Sequence, residues 1–318
     1  MPRPPVIGIG LPEPKARKHI TPELTRAAQK AGIELVILDT QLESYQESHP
    51  GVQIFDPPRR VCTLSNRRAT LERLGDIHWA IQTPEGVVTC TVPRYTVLEE
   101  GASFEEALRR IGASGLDLPV LVKPVWADGR AGSHALAVVT AESGLRHLSE
   151  RGSQLGLALP AVAQQYVPHG GCLFKVYVLG RHVRMVTRPS LDLEAERTAR
   201  QGAREPLQRT TSNPCPGLRM ASRVSAYPSS VPWGEADLAP KGHGVTPPPD
   251  QVWEEMARRI SERLKLHLFN YDVIIPAADP TQLHLIDINY FPGYEKLAGY
   301  EDLMVDFFQD IVGDFVAE

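Results

Sequence analysis

The sequence predicts a mixed α/β (α+β) protein, and three stretches carry this prediction. Residues 5–39 read as strand, helix and strand, the order that builds a parallel sheet. Residues 118–187 alternate apolar, β-branched runs with a helical segment. Residues 269–275 and 283–289 are strand-like runs separated by turn formers, which predicts a β-hairpin.

Composition and charge limit the classes of function. The chain has 318 residues, enough for two or three compact units, and its 42% hydrophobic and 23% charged residues are ordinary for a globular protein. The net charge of −4 gives no overall attraction to nucleic acid or to an anionic membrane. We find neither a signal peptide nor a stretch apolar enough to span a bilayer, and we expect no nucleic acid and no membrane as partners.

The cysteines favour a reducing compartment. Cys62, Cys90, Cys172 and Cys215 are scattered and form no C-x-x-C pair, which argues against a disulfide framework and a zinc ribbon. We therefore expect a cytoplasmic protein, with the nucleus as an additional compartment. We also expect a monomer.

The first unit is expected to comprise residues 1–93. Residues 5–9 predict a short buried strand, followed by a polar loop. Thr21 is a favourable N-cap and Pro22 a favourable first helical residue, so a helix is predicted to begin there. Residues 33–39 predict the next strand.

The middle unit is expected to comprise residues 94–191. Ser103 and Glu106 have the spacing of a capping box at a helix start. Strands are predicted at residues 118–125, 135–139, 161–167, 173–179 and 182–187, and a second helix at 141–152. The last two strands form a hairpin that turns at Gly180.

The remainder divides into an insert and a C-terminal unit. Residues 192–249 are rich in Arg, Ser, Gly and Pro and predict a disordered or mobile insert. In the unit at 250–318, Asp250 is predicted to cap a helix, and residues 301–315 predict the final helix. The first helix has one apolar face, formed by Trp253, Met256, Ile260 and Leu264.

The C-terminal hairpin predicts a metal site. A turn centred near Asp279 places Asp272 opposite Asp287, and Asn289 projects to the same side as Asp287. Carboxylates on an otherwise apolar strand are costly to bury, and a hard cation is the usual compensation. This oxygen set suits magnesium better than zinc. The alternative is that Asp287 and Asn289 merely end a strand.

Several cations predict a phosphate site. Lys123 interrupts an apolar strand and needs a partner, either a nucleotide phosphate or an internal carboxylate. Residues 128–134 contain two glycines and a cation able to fold over phosphate oxygens, although an exposed turn has the same composition. Lys175 alternates with apolar neighbours in a strand. Cations directed at a metal hairpin are what phosphoryl transfer requires, yet neither the P-loop nor the protein-kinase motifs are present.

Five segments closely resemble the inositol 1,3,4-trisphosphate 5/6-kinase family, also called inositol-tetrakisphosphate 1-kinases, which are ATP-grasp enzymes. The segments are residues 123–134, 164–169, 174–178, 188–190 and 286–294. The resemblance runs from the first strand to the last helix and omits only the insert. The glycine loop and the Asp56-Pro57-Pro58 sequence look closer to plant and algal members than to animal ones.

The resemblance implies a role for each matching residue. Magnesium would be held by Asp272, Asp287 and Asn289. ATP would contact Arg67, Lys123, Gln164, Gln165, Tyr166, Val167, Lys175 and Ser190, with residues 164–167 as the hinge beside adenine. The inositol phosphate would face Lys15, His134, Lys175, Asn289 and Gly293. Lys175 and His134 would be catalytic, the first by stabilising charge and the second by positioning the substrate or aiding proton transfer. A small shift would replace Lys15 by Arg17 or Lys18.

One family feature is absent. Members usually carry, after the second strand, a further strand that ends in His-Lys, whose lysine contacts the inositol phosphate. Here residues 42–50 lead directly to residues 52–56, so the first domain is shortened. One lost phosphate contact of about 1.5 to 3 kcal/mol would weaken binding roughly tenfold to a hundredfold. This bears on substrate choice more than on nucleotide use.

The function that these observations predict is an ATP- and magnesium-dependent inositol polyphosphate kinase. ATP would lie between the middle and C-terminal units, and the inositol polyphosphate would reach in from the first. Two alternatives remain. An ATP-grasp carboxylate ligase would share Lys123 and the metal hairpin, and the missing His-Lys segment suggests a non-catalytic inositol phosphate-binding protein.

Overall fold

The computed structural model describes residues 4–11, 13–38, 42–49, 51–193, 216–221, 246–294 and 297–317, which form three sheets with surrounding helices. The helices are α1 (Glu13–His19), α2 (Pro22–Lys30), α3 (Leu42–Ser48), α4 (Pro58–Leu64), α5 (Arg67–Leu74), α6 (Phe104–Ala113), α7 (Glu142–Arg151), α8 (Asp250–Leu264) and α9 (Tyr300–Ala317). The strands are β1 (Val6–Ile9), β2 (Glu34–Ile37), β3 (His78–Thr83), β4 (Gly86–Thr91), β5 (Tyr95–Leu98), β6 (Val120–Pro124), β7 (Leu136–Val139), β8 (Ala161–Gln165), β9 (Cys172–Leu179), β10 (His182–Pro189), β11 (Leu218–Ala221), β12 (Leu268–Ile274) and β13 (Gln282–Tyr290). The predicted mixed α/β class is confirmed.

The N-terminal sheet contains β1 and β2 in parallel pairing. Helix α2 begins as predicted, because the Thr21 hydroxyl accepts a hydrogen bond from the amide of Leu24 at 3.0 Å. Two predictions were wrong here. The segment after β1 is helix α1 and not a polar loop, and β1 is not buried, since Val6 is 60% exposed. A two-stranded sheet leaves one face without a covering layer, and this explains the exposure of β1.

The central sheet has six strands in the order β10-β9-β12-β13-β4-β3. Strand β4 runs parallel to β13, with Thr89 beside Gln282, and pairs antiparallel with β3. Strands β3 and β4 lie within the predicted first unit, yet they extend the sheet of the C-terminal hairpin. The unit boundaries at 93, 191 and 249 stay predictions, but the first unit contributes two strands to the sheet of the last.

Helix α8 covers one face of the central sheet. The predicted apolar face is buried: Trp253, Met256, Ile260 and Leu264 lie in one core cluster with side chains of the sheet. The Tyr271 hydroxyl of β12 donates to the carbonyl of Trp253 at 2.6 Å. The predicted N-cap was wrong by one residue, because Pro249 is the N-cap and Asp250 is the first helical residue. The negative charge of Asp250 still stabilises the N-terminus of the helix.

The five-stranded sheet has the order β11-β7-β6-β8-β5 and packs against α6 and α7. The Ser103 hydroxyl accepts from the amide of Glu106 at 3.2 Å, as the capping pattern predicts, whereas the Glu106 carboxylate pairs with Arg110. Strand β11 falls inside the predicted insert and pairs antiparallel with β7, so this part of 192–249 is ordered. Residues 194–215 and 222–245 of the predicted insert lie outside the described residues.

The C-terminal helix α9 joins the small sheet to the hairpin end. The Tyr300 hydroxyl donates to the carbonyl of His19 at 2.8 Å, and α9 packs against α2. The Tyr294 hydroxyl contacts the carbonyls of Val178 and Phe269 at 2.5 and 3.2 Å, which fixes the chain just after Asn289. Within the described ranges, no helix combines the length and apolarity that a membrane crossing requires.

Candidate active site

Four polar side chains form a square on one face of the hairpin. Asp272 lies opposite Asp287, and Asn270 lies opposite Asn289. Cross-strand partners and residues two apart share a face, so all four side chains project to the same side. On the other neighbour of β12, Lys175 lies beside Asp272. The predicted register of the hairpin is therefore confirmed.

Short contacts bind these side chains to one another. Lys175 Nζ lies 2.8 Å from Asp272 Oδ1, and Asn270 Nδ2 donates to the same oxygen at 2.9 Å. Asn289 Nδ2 donates to Asp287 Oδ2 at 3.2 Å. Both carboxylates thus have donors on the sheet, and Lys175 is the direct ion-pair partner of Asp272.

A β-bulge directs a backbone oxygen at Lys123. After Asp272 pairs with Asp287, Val273 pairs with Leu285, so Ile286 is the extra residue. The carbonyl of Ile286 accepts from Lys123 Nζ at 3.1 Å, and Gln164 Oε1 accepts from the same nitrogen at 3.2 Å. The buried Lys123 thereby joins the five-stranded sheet to the six-stranded one through two neutral oxygens, while Asp287 and Asp272 act on it through charge.

The two carboxylates respond differently to this surrounding charge. Burial raises the pKa of Asp272, and Asp287 adds to the rise while Lys175 opposes it. Burial also favours the neutral form of Asp287, but Arg67, Lys123 and Lys175 together outweigh it and lower the pKa of Asp287. Burial lowers the pKa of Lys123 against the attraction of Asp287. Because Asp272 and Asp287 repel each other, further positive charge at this face is favoured.

Arg67 organises the glycine-containing loop. Its Nη1 donates to the carbonyls of Pro124, Trp126 and Ser133 at 2.8, 3.0 and 3.2 Å. These carbonyls lie at the two ends of the loop that the sequence predicts to fold over phosphates. The predicted nucleotide residue Arg67 is therefore engaged with the loop itself, while its charge also acts on Asp287.

The hinge prediction falls on β8 and the residues just after it. Gln164 is the partner of Lys123, and Gln165 Oε1 accepts from Arg94 Nε at 3.4 Å. The Tyr166 hydroxyl accepts from the amide of Leu193 at 3.1 Å, so this segment also orders the end of the chain after β10. Val167 is buried and accepts from His169 through its carbonyl.

His169 ties the hinge to Ser190. Its Nδ1 lies 2.7 Å from the carbonyl of Val167, and its Nε2 lies 2.9 Å from Ser190 Oγ. Because a carbonyl only accepts, Nδ1 carries hydrogen, and in the neutral ring Nε2 accepts from the Ser190 hydroxyl. In this arrangement the hydroxyl hydrogen of Ser190 points to His169, and its oxygen lone pairs stay available as acceptors. Sequence reasoning gave no role to His169, although the residue lies in the quoted segment 164–169.

The remaining predicted substrate residues differ in their relation to the square. Asn289 belongs to it, and Gly293 lies beyond its end, just before the anchored Tyr294. Lys15 on α1 and His134 at the end of the glycine loop are exposed. Within the described residues, neither makes a hydrogen bond or ion pair with Asp272, Asp287 or Lys175.

Chemistry identifies this site more clearly than cavity size does. A cavity of about 40 Å³ touches Arg67, Lys123, Gln164 and Asp287. Larger cavities of about 730 to 800 Å³ lie between other elements. No group of three or more His, Cys, Asp or Glu side chains in the described part of the chain is placed to hold a metal, and the hairpin brings together two carboxylates and two amides.

Comparison with solved structures shows the fold. An ATP-grasp RimK domain protein from Sphaerobacter thermophilus aligns with a TM-score of 0.53 at 15% identity, covering 95% of this chain and 98% of that one. The macrocyclase MdnC from Microcystis aeruginosa aligns with a TM-score of 0.53 at 11% identity, covering 96% of this chain and 99% of that one. The chain therefore has the predicted ATP-grasp fold.

Comparison of sequences shows the family. Inositol-tetrakisphosphate 1-kinase 2 of Glycine max is 34% identical, and the alignment covers 96% of this chain and 95% of that protein. Inositol-tetrakisphosphate 1-kinase 1 of Arabidopsis thaliana is 30% identical, with the same two coverages. Residues 86–310 match the family described as the inositol 1,3,4-trisphosphate 5/6-kinase ATP-grasp domain. The chain belongs to the inositol 1,3,4-trisphosphate 5/6-kinase family.

By family, this protein is an inositol polyphosphate kinase and a transferase. The match to the kinase family begins within β4 and ends within α9, so it includes Lys123, Lys175, Asp272 and Asp287. Both plant relatives also align over nearly the whole chain. The kinase fold thus places the buried lysine and the paired aspartates in one cluster.

Asn270 is the second residue that sequence reasoning missed in this kinase. It is 1% exposed and completes the polar square. The signal was present in the sequence, since Asn270 is two residues before Asp272 and so must share its face. Only the register shows that it also lies opposite Asn289.

Proposed function

We propose that the protein transfers the γ-phosphoryl group of ATP to a hydroxyl group of an inositol polyphosphate, with Mg²⁺ bound at Asp272, Asp287 and Asn289. The observation that carries this proposal is the pairing of Asp272 with Asp287 on the hairpin, with Lys175 beside them, in a member of this kinase family. The acceptors are of the inositol 1,3,4-trisphosphate and inositol 3,4,5,6-tetrakisphosphate type.

The residues present fit a hard divalent cation. The carboxylates of Asp272 and Asp287 and the amide of Asn289 offer oxygen ligands, and the carboxylates repel each other on a buried face. Oxygen ligands of this kind suit Mg²⁺, which binds through one or two carboxylates together with substrate phosphates. When bound, the ion would neutralise charge that develops on the phosphate oxygens.

The protein's own cations would position the triphosphate. Lys123 presents a buried ammonium group with two neutral partners, so a third donor hydrogen remains for a phosphate oxygen. Lys175 would stabilise charge on the transferred group, which requires its ammonium to reorient from Asp272. Phosphoryl transfer depends mainly on such positioning and charge stabilisation, so a strong general base is not required.

The nucleotide base would lie beside the hinge, residues 164–167, with Ser190 nearby. The hinge is held rigidly by His169 and by the Tyr166 hydroxyl. Arg67 would act by holding the glycine loop in place over the phosphates, in addition to its charge. Rigid placement of the binding groups is what accelerates a reaction of this class.

The inositol phosphate would be recognised by Lys15, His134, Lys175, Asn289 and Gly293. Lys15 and His134 are exposed and so accessible to a solvated polyanion. His134 would position the acceptor or assist transfer of its hydroxyl proton. With the family's His-Lys segment missing, Arg17 and Lys18 on the same helix as Lys15 offer replacement charge.

The first experiment is ADP release by the purified protein with Mg²⁺ and ATP against a panel of inositol tris-, tetrakis- and hexakisphosphates. We expect at least one phosphorylated product by ion-exchange chromatography. Asp287→Ala should abolish turnover, whereas the matched control Asp279→Ala, at the exposed hairpin turn, should leave it unchanged. Equal turnover of Asp287→Ala and wild type would overturn the site, and binding without any product would support a non-catalytic binding protein.

A coupled panel tests the ligase alternative. The fold is shared with a protein described as the ATP-grasp ligase PsnB, at a TM-score of 0.52 and 15% identity, so the fold alone does not separate the two activities. ADP release that requires a carboxylic acid and an amine would identify a ligase.

We further propose a cytoplasmic monomer, with the nucleus as an additional compartment. Light scattering of the purified protein tests the first part, and imaging of a fluorescent fusion tests the second.

A further inference from the structure

Asn270 is a buried side chain of the polar square. The face of the hairpin that carries this square is called the cation face below. It lies two residues before Asp272 on β12 and opposite Asn289 on β13. Only 1% of its surface is exposed. Among the described residues on this face it is therefore the most deeply buried member of the polar square.

Asn270 uses only one end of its amide within the protein. Its Nδ2 donates to Asp272 Oδ1 at 2.9 Å, the oxygen that also accepts from Lys175. Its Oδ1 is buried and has no hydrogen-bond partner in the described part of the chain. Turning the amide over would set Oδ1 against the Asp272 carboxylate, so repulsion fixes the orientation.

A buried acceptor such as Asn270 Oδ1 is expected to accept a hydrogen bond. Nearly all buried polar atoms in folded proteins are paired, because an unpaired one loses its hydration without compensation. Asn289 donates to Asp287, and Asp272 accepts from Lys175 and from Asn270 itself, so none of these contacts reaches Asn270 Oδ1. Mg²⁺ usually keeps several of its waters, and those waters are strong donors.

We propose that Asn270 is a positioning residue of the cation site, holding the Asp272 carboxylate through Nδ2 and accepting a hydrogen bond through Oδ1 from a water bound to the divalent cation. The inference rests on the cation site of the proposed function and adds a member that the Asp272, Asp287 and Asn289 set does not contain. Residues that orient metal ligands in this way commonly change metal affinity tenfold to a hundredfold when replaced.

Two variants remove both functions of the amide. Asn270→Leu keeps a similar volume, and Asn270→Ala supplies a second test should leucine prevent folding. The matched control is Tyr271→Phe, the next residue on the same strand but on the opposite face. It removes the buried hydrogen bond to the carbonyl of Trp253 and leaves the cation face intact.

The measurement is the affinity of the full chain for Mn²⁺ in the presence of ADP, with electron paramagnetic resonance as the detection method. We expect Mn²⁺ affinity roughly tenfold to a hundredfold lower in both Asn270 variants and unchanged in Tyr271→Phe. Urea unfolding without metal provides the second readout. There Tyr271→Phe should be less stable than wild type, because it loses a buried hydrogen bond. Asn270→Leu loses the hydrogen bond to Asp272 but also removes a buried unpaired acceptor, so its stability should change less than its Mn²⁺ affinity.

Asp287→Ala separates the two levels of inference. If it loses Mn²⁺ binding while the folded Asn270 variants keep wild-type affinity, the Asn270 inference is overturned and the proposed function stands. If wild type does not bind Mn²⁺ with ADP, the cation site fails and the Asn270 inference fails with it. Unfolding losses in the Asn270 variants with unchanged Mn²⁺ affinity would show a purely structural role.

Discussion

At the scale of one residue, Lys123 shows how a buried positive charge can be stabilised by neutral hydrogen-bond partners. The strand around it is buried throughout, and its two hydrogen-bond partners are neutral oxygens. Such partners reduce the cost of burial without neutralising the charge. Within the described residues, the two hydrogen bonds of Lys123 thus leave its positive charge unneutralised by a direct ion pair.

Replacing Lys123 should damage nucleotide binding more than folding. In Lys123→Met the oxygens of Gln164 and Ile286 lose a donor, so we expect the free energy of unfolding to fall by about 1 to 3 kcal/mol. Loss of a charge-assisted phosphate contact should weaken ADP binding roughly tenfold to a hundredfold, measured by titration calorimetry. Lys30→Met, at the exposed end of α2, is the control, and unchanged ADP affinity in Lys123→Met would restrict Lys123 to joining the two sheets.

The cysteines should differ sharply in reactivity. Burial raises the pKa of Cys90 to about 12 and outweighs the attraction of Arg259, so Cys90 is a neutral thiol at pH 8. Burial also raises the pKa of Cys172, whereas Cys62 is exposed. Since the thiolate is the nucleophile, iodoacetamide at pH 8 should modify Cys62 in the native protein and Cys90 and Cys172 only after unfolding.

Peptide mapping by mass spectrometry checks the cysteine prediction. A Cys62→Ser variant shows which signal belongs to the exposed thiol. Modification of native Cys90 at a rate similar to Cys62 would mean that the central sheet opens readily, since Cys90 is fully buried in it.

At the scale of elements, Arg67 links helix α5 to the glycine loop. Three carbonyls of the loop ends converge on one guanidinium nitrogen, and Asn66 caps the helix from which Arg67 starts. Nη1 carries two hydrogens, so at least two of the three carbonyls share one of them. The loop is therefore held from outside its own sequence.

Arg67→Ala should free the glycine loop. The variant removes the guanidinium that donates to the carbonyls at the loop ends. We therefore expect faster amide hydrogen exchange across residues 125–134 and a higher KM for ATP. The neighbouring Arg68→Ala is the matched control, since Arg68 pairs with Glu72 and Glu99 on the exposed side of α5. Unchanged amide hydrogen exchange in the loop would contradict the inference that Arg67 holds the loop, whatever the change in KM.

The elements that could be predicted are those with local signals. Thr21 and Ser103 marked helix starts through capping chemistry, and the turn between β12 and β13 set the register that pairs Asp272 with Asp287. Helix α4 begins without a side-chain cap, which removed that signal. The bulge at Ile286 was also beyond sequence reasoning, because it depends on how β13 meets its neighbours.

The pattern and the resemblance named several residues that the structure brings together, although their roles stay predictions. Lys123, Lys175 and the paired aspartates do converge on one cluster. The partners of those residues were not predictable. Gln164 and the carbonyl of Ile286 approach Lys123 only because two sheets pack together, and sequence spacing contains no information about that approach.

At the scale of the whole molecule, the six-stranded central sheet combines strands from two separate parts of the chain, residues 78–91 and 172–290. Strand β4 hydrogen-bonds to β13 in parallel, and β3 completes that edge. A chain divided at residue 93 would lose two of the six strands. The apolar side of β13 would then meet solvent, and its unpaired edge would be open to other chains.

A fragment of residues 94–318 should therefore not fold into a monomer. We expect aggregation or strong binding of a hydrophobic dye, compared by size-exclusion chromatography with the full chain. A fragment of residues 76–318, which keeps β3 and β4, is the control and should aggregate less. A well-folded 94–318 monomer would contradict the shared sheet and support a boundary at residue 93.

The parallel pairing of β4 with β13 also sets the timing of assembly. The Thr91 hydroxyl meets Nδ1 of His284 at 3.0 Å across 193 residues of sequence. During synthesis, the β3–β4 hairpin emerges long before the strand that it must join. Closing so large a loop is entropically costly and slows folding. The kinase can therefore complete its six-stranded sheet only after β13 has been synthesised, and until then the edge of β4 that pairs with β13 has no partner strand in that sheet.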